Sequence, residues 1–327
     1  MTVLVTGSAG FIGYHVSLAL LGQGRSVLGI DNLSPYYDVA LKEARLARLA
    51  DQNGFSFERL DIADRSTMED LLHQYDGVID GVIHLAAQAG VRYSLEDPHA
   101  YGEANLIGHL NVLEFCRAVP NLRHLVYASS SSVYGGSKEL PFAVGQPVGT
   151  PISLYAATKR ADELMSHSYS HLYRLPATGL RFFTAYGPWG RPDMAAYKFV
   201  RAIYAGEPIE VFNNGDMKRD FTYIDDVVAG VVAVLDGPPA GANNAAPHRV
   251  YNIGNHRPEP LLDYIGVIEQ AVGRKAEIRF LPMQPGDIKE TYADIEPIQR
   301  DFGFSPMTTI EEGIPRFVAW YREYHGV

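Results

Sequence analysis

Three glycines near the start of the chain constrain its fold more than any other feature. Gly7, Gly10 and Gly13 follow an apolar run at residues 2–6 and precede a stretch whose apolar residues have helical spacing. A glycine-rich turn between a strand and a helix lets the backbone approach a pyrophosphate, and the helix N-terminus offers it unpaired N–H groups. We expect Gly7 to permit the tight turn, Gly10 the close approach and Gly13 the packing of helix on strand.

The apolar runs that follow alternate with helical stretches. Strands are predicted at 2–6, 26–30, 55–57, 81–85 and 124–127, and helices around 97–118 and 153–174. The alternation predicts an α/β fold, a Rossmann-type doubly wound parallel sheet with a smaller C-terminal substrate-binding lobe. We expect a dinucleotide-binding domain over 1–180 and, over 181–327, a lobe that mainly binds a nucleotide sugar and can return segments to the first domain. Residues 237–244, rich in glycine, proline and asparagine, are predicted to form a surface loop.

A carboxylate ends the second predicted strand. Asp31 lies 18 residues beyond Gly13, close to the position at which such folds bind the adenosine ribose hydroxyls. An acid there repels a 2′-phosphate and so favours NAD over NADP, whereas the alternative is a plain loop aspartate. Position alone places further residues along the cofactor: Asp61 and Ile62 near the adenine, and Leu85, Ala86 and Ala87 as a wall of small residues. All five could instead serve simple packing.

Tyr155 and Lys159 lie four residues apart, downstream of the serine cluster at residues 129–132. On a helix, side chains at this spacing share one face. A phenol ionises only near pH 10, and a nearby ammonium together with a positively charged nicotinamide ring would favour the phenolate. The pair is therefore a candidate general base for a sugar or alcohol hydroxyl, with an ordinary amphipathic helix as the alternative.

Composition excludes several classes of function. The net charge is −10 and no basic run is present, which argues against nucleic-acid binding. No apolar run is long enough for a transmembrane helix, and the first residues enter a strand rather than a signal peptide. Cys116 is the only cysteine, which fits a reducing cytoplasm. The histidines show no spacing typical of a metal site, so we expect no metal. The lone cysteine and the absence of a signal peptide lead us to expect a cytoplasmic enzyme.

Longer stretches carry a family resemblance. They are residues 84–94 (HLAAQAGVRYS), 127–135 (YASSSSVYG) and 181–194 (RFFTAYGPWGRPDM). With the glycine turn and the Tyr155–Lys159 pair, they resemble the extended short-chain dehydrogenase/reductases. Within these, the chain looks most like the UDP-glucuronate 4-epimerases of the NAD-dependent epimerase/dehydratase family. The similarity extends from the first strand to about residue 300.

The resemblance implies roles for individual residues. Tyr155 would take the proton from the sugar 4-hydroxyl, Lys159 would bind the nicotinamide ribose, and Ser132 or Ser130 would relay the proton. NAD would be held tightly, because an epimerase regenerates it at every turnover. The implied cofactor contacts are Gly7, Gly10, Phe11, Ile12, Gly13, Asp31, Asn32, Asp61, Ile62, Leu85, Ala86, Ala87, Asn105, Tyr155 and Lys159.

The resemblance also implies how a UDP-sugar would be held. Ser130, Ser131, Ser132, Thr184 and Arg191 are the polar groups expected at the sugar, and all but Ser132 are assigned to its carboxylate. Arg219 would contact the diphosphate and Asp287 the uridine ribose. Alternatives stay open: Thr184 could bond to the backbone, Arg191 could bind the pyrophosphate or sit in a surface ion pair, and Arg219 could pair with an aspartate. The family's usual assembly implies a homodimer built from the helices around 97–118 and 153–174.

Related enzymes that dehydrate or decarboxylate the sugar carry an acidic residue in the serine turn. This chain has only Ser131, Ser132 and Val133 there, which favours epimerisation to UDP-galacturonate. The alternatives are a UDP-hexose 4-epimerase, a decarboxylase, and a sensor that binds the nucleotide sugar without turnover. The hexose epimerases characteristically have an arginine at the position where this chain has Gln284.

Overall fold

The structure is a computed structural model that describes residues 1–75, 77–241, 244–284 and 287–327. The strands are β1 (Thr2–Thr6), β2 (Ser26–Asp31), β3 (Phe55–Arg59), β4 (Ile79–His84), β5 (His124–Ser130), β6 (Ala177–Phe182), β7 (Thr184–Tyr186), β8 (Ile209–Val211), β9 (Lys218–Tyr223), β10 (His248–Ile253), β11 (Pro258–Pro260) and β12 (Ile278–Phe280). The α-helices are α1 (Phe11–Gly22), α2 (Val39–Ala50), α3 (Arg65–Gln74), α4 (Pro98–Tyr101), α5 (Gly108–Ala118), α6 (Leu154–Tyr173), α7 (Ala195–Ala205), α8 (Ile224–Asp236), α9 (Leu261–Val272), α10 (Glu296–Phe302) and α11 (Ile310–His325).

The chain divides into two compact units. The first contains residues 1–136, 147–181 and 228–251, and the second contains 137–146, 182–227 and 252–327. The first unit therefore takes its last segment from beyond residue 181, and the second takes one from before it. Within the described part of the chain, no helix is both long and apolar enough to cross a membrane.

A seven-stranded sheet forms the centre of the first unit. Its strand order is β3-β2-β1-β4-β5-β6-β10, and the pairs from β3 through β5 are parallel. The order reverses at β1, which is the switch point where Rossmann-type sheets bind nucleotides beyond the carboxyl ends of their strands. The predicted fold class, a doubly wound parallel α/β sheet, is confirmed.

One hydrophobic core lies between this sheet and the helices α3 and α5. It includes Leu4 and Leu28 from the sheet and Val112, Phe115 and Cys116 from α5, all at most 3% exposed. Burial raises the pKa of the Cys116 thiol, so this cysteine is an unreactive core residue.

The segment around residues 97–118, predicted as one helical stretch, is continuous but not uniform. It begins with α4, passes through a π-helical turn at Gly102–Ile107 and continues as α5. Wide turns of this kind are rare and occur often at functional sites. Of the predicted surface loop at 237–244, residues 242 and 243 lie outside the described residues.

The second unit is built from small sheets and helices. A three-stranded sheet has the order β11-β9-β7, and a two-stranded sheet pairs β12 with β8. β7 runs parallel to β9, with Thr184 opposite Phe221. Phe221 is stacked on Tyr264 of α9 at 3.8 Å between ring centroids, which fixes the helix against β9.

Candidate active site

The glycine turn between β1 and α1 forms a tight backbone cradle. Gly7 has a φ of +72°, and a Cβ there would lie 2.7 Å from the Ala86 amide nitrogen. At Gly13 a Cβ would lie 2.1 Å from the Gly7 carbonyl oxygen, so the helix could not approach the turn. Gly10 is the N-cap of α1 and has no side chain to cap the helix, which leaves the first N–H groups available to an anionic ligand. Phe11 and Ile12 open this helix, and Phe11 is buried.

Asp31 stands at the carboxyl end of β2 with its carboxylate held from two sides. Oδ1 accepts from the Leu33 amide at 2.8 Å and Oδ2 from the Ala9 amide at 3.2 Å. The Lys42 ammonium lies 3.9 Å from Oδ1, and both side chains are at most 8% exposed. Arg45, fully buried, donates to the Ala9 carbonyl at 2.7 Å. The same residue of the glycine turn, Ala9, is thus held through its N–H by Asp31 and through its C=O by Arg45.

The expected adenine-side residues separate into two kinds. The Asn32 amide donates to the Asp61 carboxylate at 2.8 Å in an exposed position next to β2. Ile62 instead packs into the hydrophobic core, and its carbonyl accepts from the Asn111 amide at 2.8 Å. A packing role is therefore visible for the Ile62 side chain, whereas Asn32 and Asp61 remain accessible polar groups.

The small residues after β4 are tied to β1. Thr6 Oγ1 accepts from the amides of Leu85 and Ala86, each at 3.1 Å. The same hydroxyl lies 2.7 Å from His84 Nδ1. Burial lowers the pKa of His84 well below its usual value, so the imidazole is neutral at pH 7. Leu85 and Ala86 therefore form a fixed edge beside the glycine turn, and these two residues and Ala87 are half-buried.

Asn105 links the π-helical turn to the helix that carries the candidate base. Its Oδ1 accepts from the Gln88 amide at 2.8 Å, and its Nδ2 donates to the Gln88 carbonyl at 3.1 Å. Nδ2 also donates to Thr158 Oγ1 at 3.0 Å. Since Asn105 is 1% exposed and these contacts engage both ends of its amide, it acts on the site by fixing α6 and the segment after β4.

Tyr155 and Lys159 lie one turn apart on α6. Ser153 caps this helix by accepting from the Ala156 amide at 3.1 Å, which places Tyr155 in the first turn. The Tyr155 ring makes an edge contact with the buried Tyr101 ring at 6.0 Å. The Lys159 ammonium donates to the Ala128 carbonyl at 3.1 Å and to Asp162 Oδ2 at 3.0 Å. The phenol and the ammonium thus share the helix face next to the end of β5.

The four serines after Ala128 have different environments. Ser129 is buried and donates to Glu163 Oε1 at 2.6 Å, so its hydroxyl is structural. Ser130 ends β5 and its Oγ accepts from the Ser132 amide at 3.1 Å, which leaves its O–H group able to donate. Ser131 and Ser132 begin a 3₁₀ turn and are partly exposed. Ser130, Ser131 and Ser132 therefore remain the serines that can meet a ligand.

Thr184 and Arg191 belong to the second unit. Thr184 begins β7 and is partly exposed. Arg191 forms an ion pair with Asp193 at 2.9 Å and donates to the Met194 sulfur at 3.3 Å. Its guanidinium is therefore held by its own loop.

Arg219 and Asp287 both belong to the second unit, and the charge of Asp287 acts on Arg219. Burial lowers the pKa of Arg219, and the negative charge of Asp287 opposes that effect. The guanidinium donates to the carbonyls of Lys218 and Lys289 at 2.9 and 3.0 Å. The neighbouring Asp220 is fully buried and accepts from the amides of Asn255, His256 and Ala293, so it does not pair with Arg219. The expected motif around Asp287 includes residues 285 and 286, which lie outside the described residues.

Several buried charges around this site were not predicted from the sequence. They are Lys42, Arg45, Asp162, Glu163 and Arg181. The contact of Asp162 with Lys159 could have been predicted from the sequence, because the two residues are three apart and this spacing places both on one helix face. Arg45 and Arg181 meet their partners only through the fold, and no local pattern signals those contacts.

Comparison with known proteins supports one family. The sequence model of the NAD dependent epimerase/dehydratase family matches residues 3–254. A protein from Rhizobium meliloti named probable UDP-glucuronate 4-epimerase is 47% identical, covering 98% of this chain and 97% of its own length. UDP-glucuronate 4-epimerase 1 of Arabidopsis thaliana is 45% identical, covering 100% of this chain and 78% of its own length.

A solved structure agrees with these relatives. UDP-glucuronic acid 4-epimerase from Bacillus cereus, in complex with UDP-glucuronic acid and NAD, superposes with a TM-score of 0.90. The two chains are 34% identical, and the match covers 99% of this chain and 100% of the other.

Proposed function

We propose that this chain, which belongs to the NAD dependent epimerase/dehydratase family, is a UDP-glucuronate 4-epimerase that forms UDP-galacturonate. The observation that carries the proposal is the end-to-end structural match, at a TM-score of 0.90, to an epimerase complexed with UDP-glucuronic acid and NAD. The reaction inverts one carbon of the sugar and consumes no net oxidant, so the enzyme is an isomerase.

The first unit fits a dinucleotide. A Cβ at Gly7, Gly10 or Gly13 would meet backbone atoms at 2.9 Å or less, so the turn is built for close approach and not for side chains. The uncapped N-terminus of α1 would hold the pyrophosphate, and Asp31, already oriented by two N–H groups, would face the adenosine ribose. When bound, NAD⁺ supplies the chemistry that no side chain can, by accepting a hydride from C4 of the sugar and returning it.

The side chains of α6 and the serine turn handle the proton. Tyr155 as phenolate takes the proton of the sugar 4-hydroxyl, and the Lys159 ammonium favours that phenolate through its charge. The Ser132 hydroxyl, with Ser130 as the second candidate, bonds both the phenol and the sugar oxygen and so relays the proton. A transient 4-keto sugar results, and Tyr155 returns the proton when the opposite face is reduced.

The carboxylate of the sugar must also be controlled. A 4-keto glucuronate is a β-keto acid and loses CO₂ once its carboxylate stands perpendicular to the ketone. We assign Ser130, Ser131, Thr184 and Arg191 to this end of the sugar, where hydroxyl donors hold the carboxylate in the orientation that disfavours decarboxylation. Arg191 is already paired with Asp193, so it presents a partly neutralised cation.

Arg219 and Asp287 are our candidates for the UDP part of the substrate. The fork of an arginine suits two phosphate oxygens, and Arg219 has donors beyond those that bind the Lys218 and Lys289 carbonyls. Its neighbour Asp287 offers oxygens that suit the uridine ribose hydroxyls.

A homodimer in the cytoplasm completes the proposal. Large apolar side chains are exposed on the two adjacent helices: Leu110 on α5 is 36% exposed, and Leu164 and Leu172 on α6 are 54% and 66% exposed. An interface between two copies of the chain would cover these side chains, and their exposure supports the proposed dimer. Light scattering on the wild type and on Leu164→Glu tests this, because the variant should be monomeric.

The test of function is an assay of the purified protein, without added NAD, against UDP-glucuronate and UDP-glucose in parallel. NMR of the products should show UDP-galacturonate from the first substrate and little reaction with the second. The Tyr155→Phe variant, which keeps the ring but lacks the base, should bind UDP-glucuronate and form no product. Turnover of UDP-glucose instead would indicate a hexose epimerase, UDP-pentose a decarboxylase, and binding without turnover a sensor.

A further inference from the structure

The Lys159 ammonium is held from inside the protein before any ligand binds. It is 3% exposed and donates to Asp162 Oδ2 at 3.0 Å and to the Ala128 carbonyl at 3.1 Å. An ammonium has three N–H donors, so these two contacts set the direction in which the third points.

The Asp162 carboxylate is buried although it has few contacts besides the one with Lys159. Its side chain is 1% exposed, and within the described residues Oδ1 has no hydrogen-bond partner. A buried carboxylate is unfavourable unless it is paired, and its pairing here is with Lys159. The adjacent Glu163 has separate partners, since it binds Arg181 and Ser129.

Among the described residues, three titratable groups that face this pair carry no charge at pH 7. His109 of α5 and His84 of β4 lie with their rings 5.1 Å apart, and burial lowers the pKa of both. Burial also raises the pKa of Tyr127 in β5, which therefore stays a neutral phenol. The charge of Asp162 thus offsets Lys159 and no other cation that faces it among the described residues.

We infer that Asp162 is a positioning residue that fixes the Lys159 ammonium and offsets part of its charge, and thereby sets the pH at which Tyr155 becomes a base. The inference rests on the proposed role of Tyr155. Asp162 and Tyr155 are seven residues apart on α6, or about 10 Å along the helix axis, so the charge of one acts on the other through the protein interior.

Asp162→Asn removes the charge of Asp162 and preserves the geometry of its contact with Lys159. The amide keeps the size of the carboxylate and an oxygen that can accept from Lys159, but it no longer offsets the ammonium. The phenolate should then form more easily, and the acid limb of the pH–rate profile for epimerisation should move down by about half a pH unit to one. Asp162→Leu keeps the branched shape of the side chain and removes the acceptor, so the ammonium loses its direction and kcat should fall about tenfold or more.

A second readout does not depend on turnover. The near-ultraviolet absorbance of the phenolate is titrated in the purified protein, and the same titration of the matching Tyr155→Phe protein is subtracted. In Asp162→Asn the resulting titration curve should move to lower pH by the same amount as the rate profile. Glu114→Gln is the matched control, because it removes a carboxylate of α5 that binds Arg117 and Tyr169 instead of Lys159.

The outcomes separate this inference from the proposed function. If Asp162→Asn gives rate and absorbance curves that superpose on those of the wild type, Asp162 has no such role. If the wild type does not turn over UDP-glucuronate, the proposed function fails, while the absorbance titration still decides the role of Asp162. Should Asp162→Leu not fold, Asp162→Ser replaces it, and a kcat equal to that of the wild type in either variant contradicts the positioning role.

Discussion

The buried pair of Glu163 and Arg181 gives the most quantitative prediction. Arg181 in β6 binds Glu163 in α6 with two hydrogen bonds, Nε to Oε1 at 2.8 Å and Nη2 to Oε2 at 2.9 Å. Both side chains are at most 3% exposed. Arg181→Met removes the cation and leaves a buried carboxylate, which costs about 3–5 kcal/mol in comparable pairs. Arg160 still binds Oε2 at 2.7 Å, so we expect a loss of about 3 kcal/mol in the free energy of unfolding.

The pH dependence of that loss follows from the sign of the pKa shift. Burial alone would raise the pKa of Glu163, but the hydrogen bonds and charge of Arg181 hold it below its usual value. Its stabilising contribution is therefore present above the unfolded pKa and is lost as pH falls through the folded one. Without Arg181 the pKa of Glu163 should rise, and the variant should gain stability as pH falls from 7 toward about 4.5. The difference between wild type and variant should narrow over that range.

Urea unfolding followed by circular dichroism measures both effects, with a double-mutant cycle as the decisive comparison. Glu163→Leu combined with Arg181→Met removes both charges and should be more stable than the sum of the two single losses predicts. Arg117→Met, which breaks an exposed ion pair with Glu114, should leave the midpoint unchanged. Additive losses in the cycle, or a loss at Arg181 as small as that at Arg117, would refute the reasoning.

Three further predictions follow from single positions. Gly13→Ala should lower the amount of NAD that acid releases from the purified protein, because its Cβ would lie 2.1 Å from the Gly7 carbonyl oxygen, whereas Gly22→Ala, with nothing within 4 Å, should retain the cofactor. Thr184→Val should raise the fraction of UDP-pentose among the NMR-resolved products, and an unchanged fraction would remove this threonine from the carboxylate-binding set. Burial raises the pKa of Asp220 to about 6, so its contribution to stability is complete below the unfolded value and is lost as pH rises through about 6. Relative to Asp220→Asn, the wild type should therefore lose about 1 kcal/mol between pH 5 and 7, and parallel pH profiles of the two unfolding midpoints would contradict this.

The parts of the fold that the sequence predicted are those with a local cause. The glycine turn of residues 7–13 must join a strand to a helix, and five of the strands in the large sheet are apolar runs. The order of those strands was not predicted, and the structure shows it to be the order usual in doubly wound sheets. The π-helical turn at Gly102–Ile107 could not be predicted in this way, because its residues have ordinary helical spacing and the widening accompanies the contacts of Asn105 with Gln88 and Thr158.

The candidate site divides in the same way. The Tyr155–Lys159 spacing is local, and so is the serine turn, whereas the partners that orient these groups come from distant parts of the chain. Arg45 reaches the glycine turn from 36 residues away. Such contacts depend on the packing of whole elements, and a single sequence carries no pattern for them.

Helix α6 combines a local sequence spacing with contacts to distant parts of the chain. Its neighbouring acids, Asp162 and Glu163, have different partners, Lys159 on the same helix and Arg181 on β6. Because adjacent residues on a helix point about 100° apart, the bond from Glu163 to the sheet also fixes the rotation of the face that carries Lys159. A helix turned by one residue could not satisfy both buried carboxylates. The orientation of the proposed base is therefore determined by a buried ion pair that itself carries no catalytic signature.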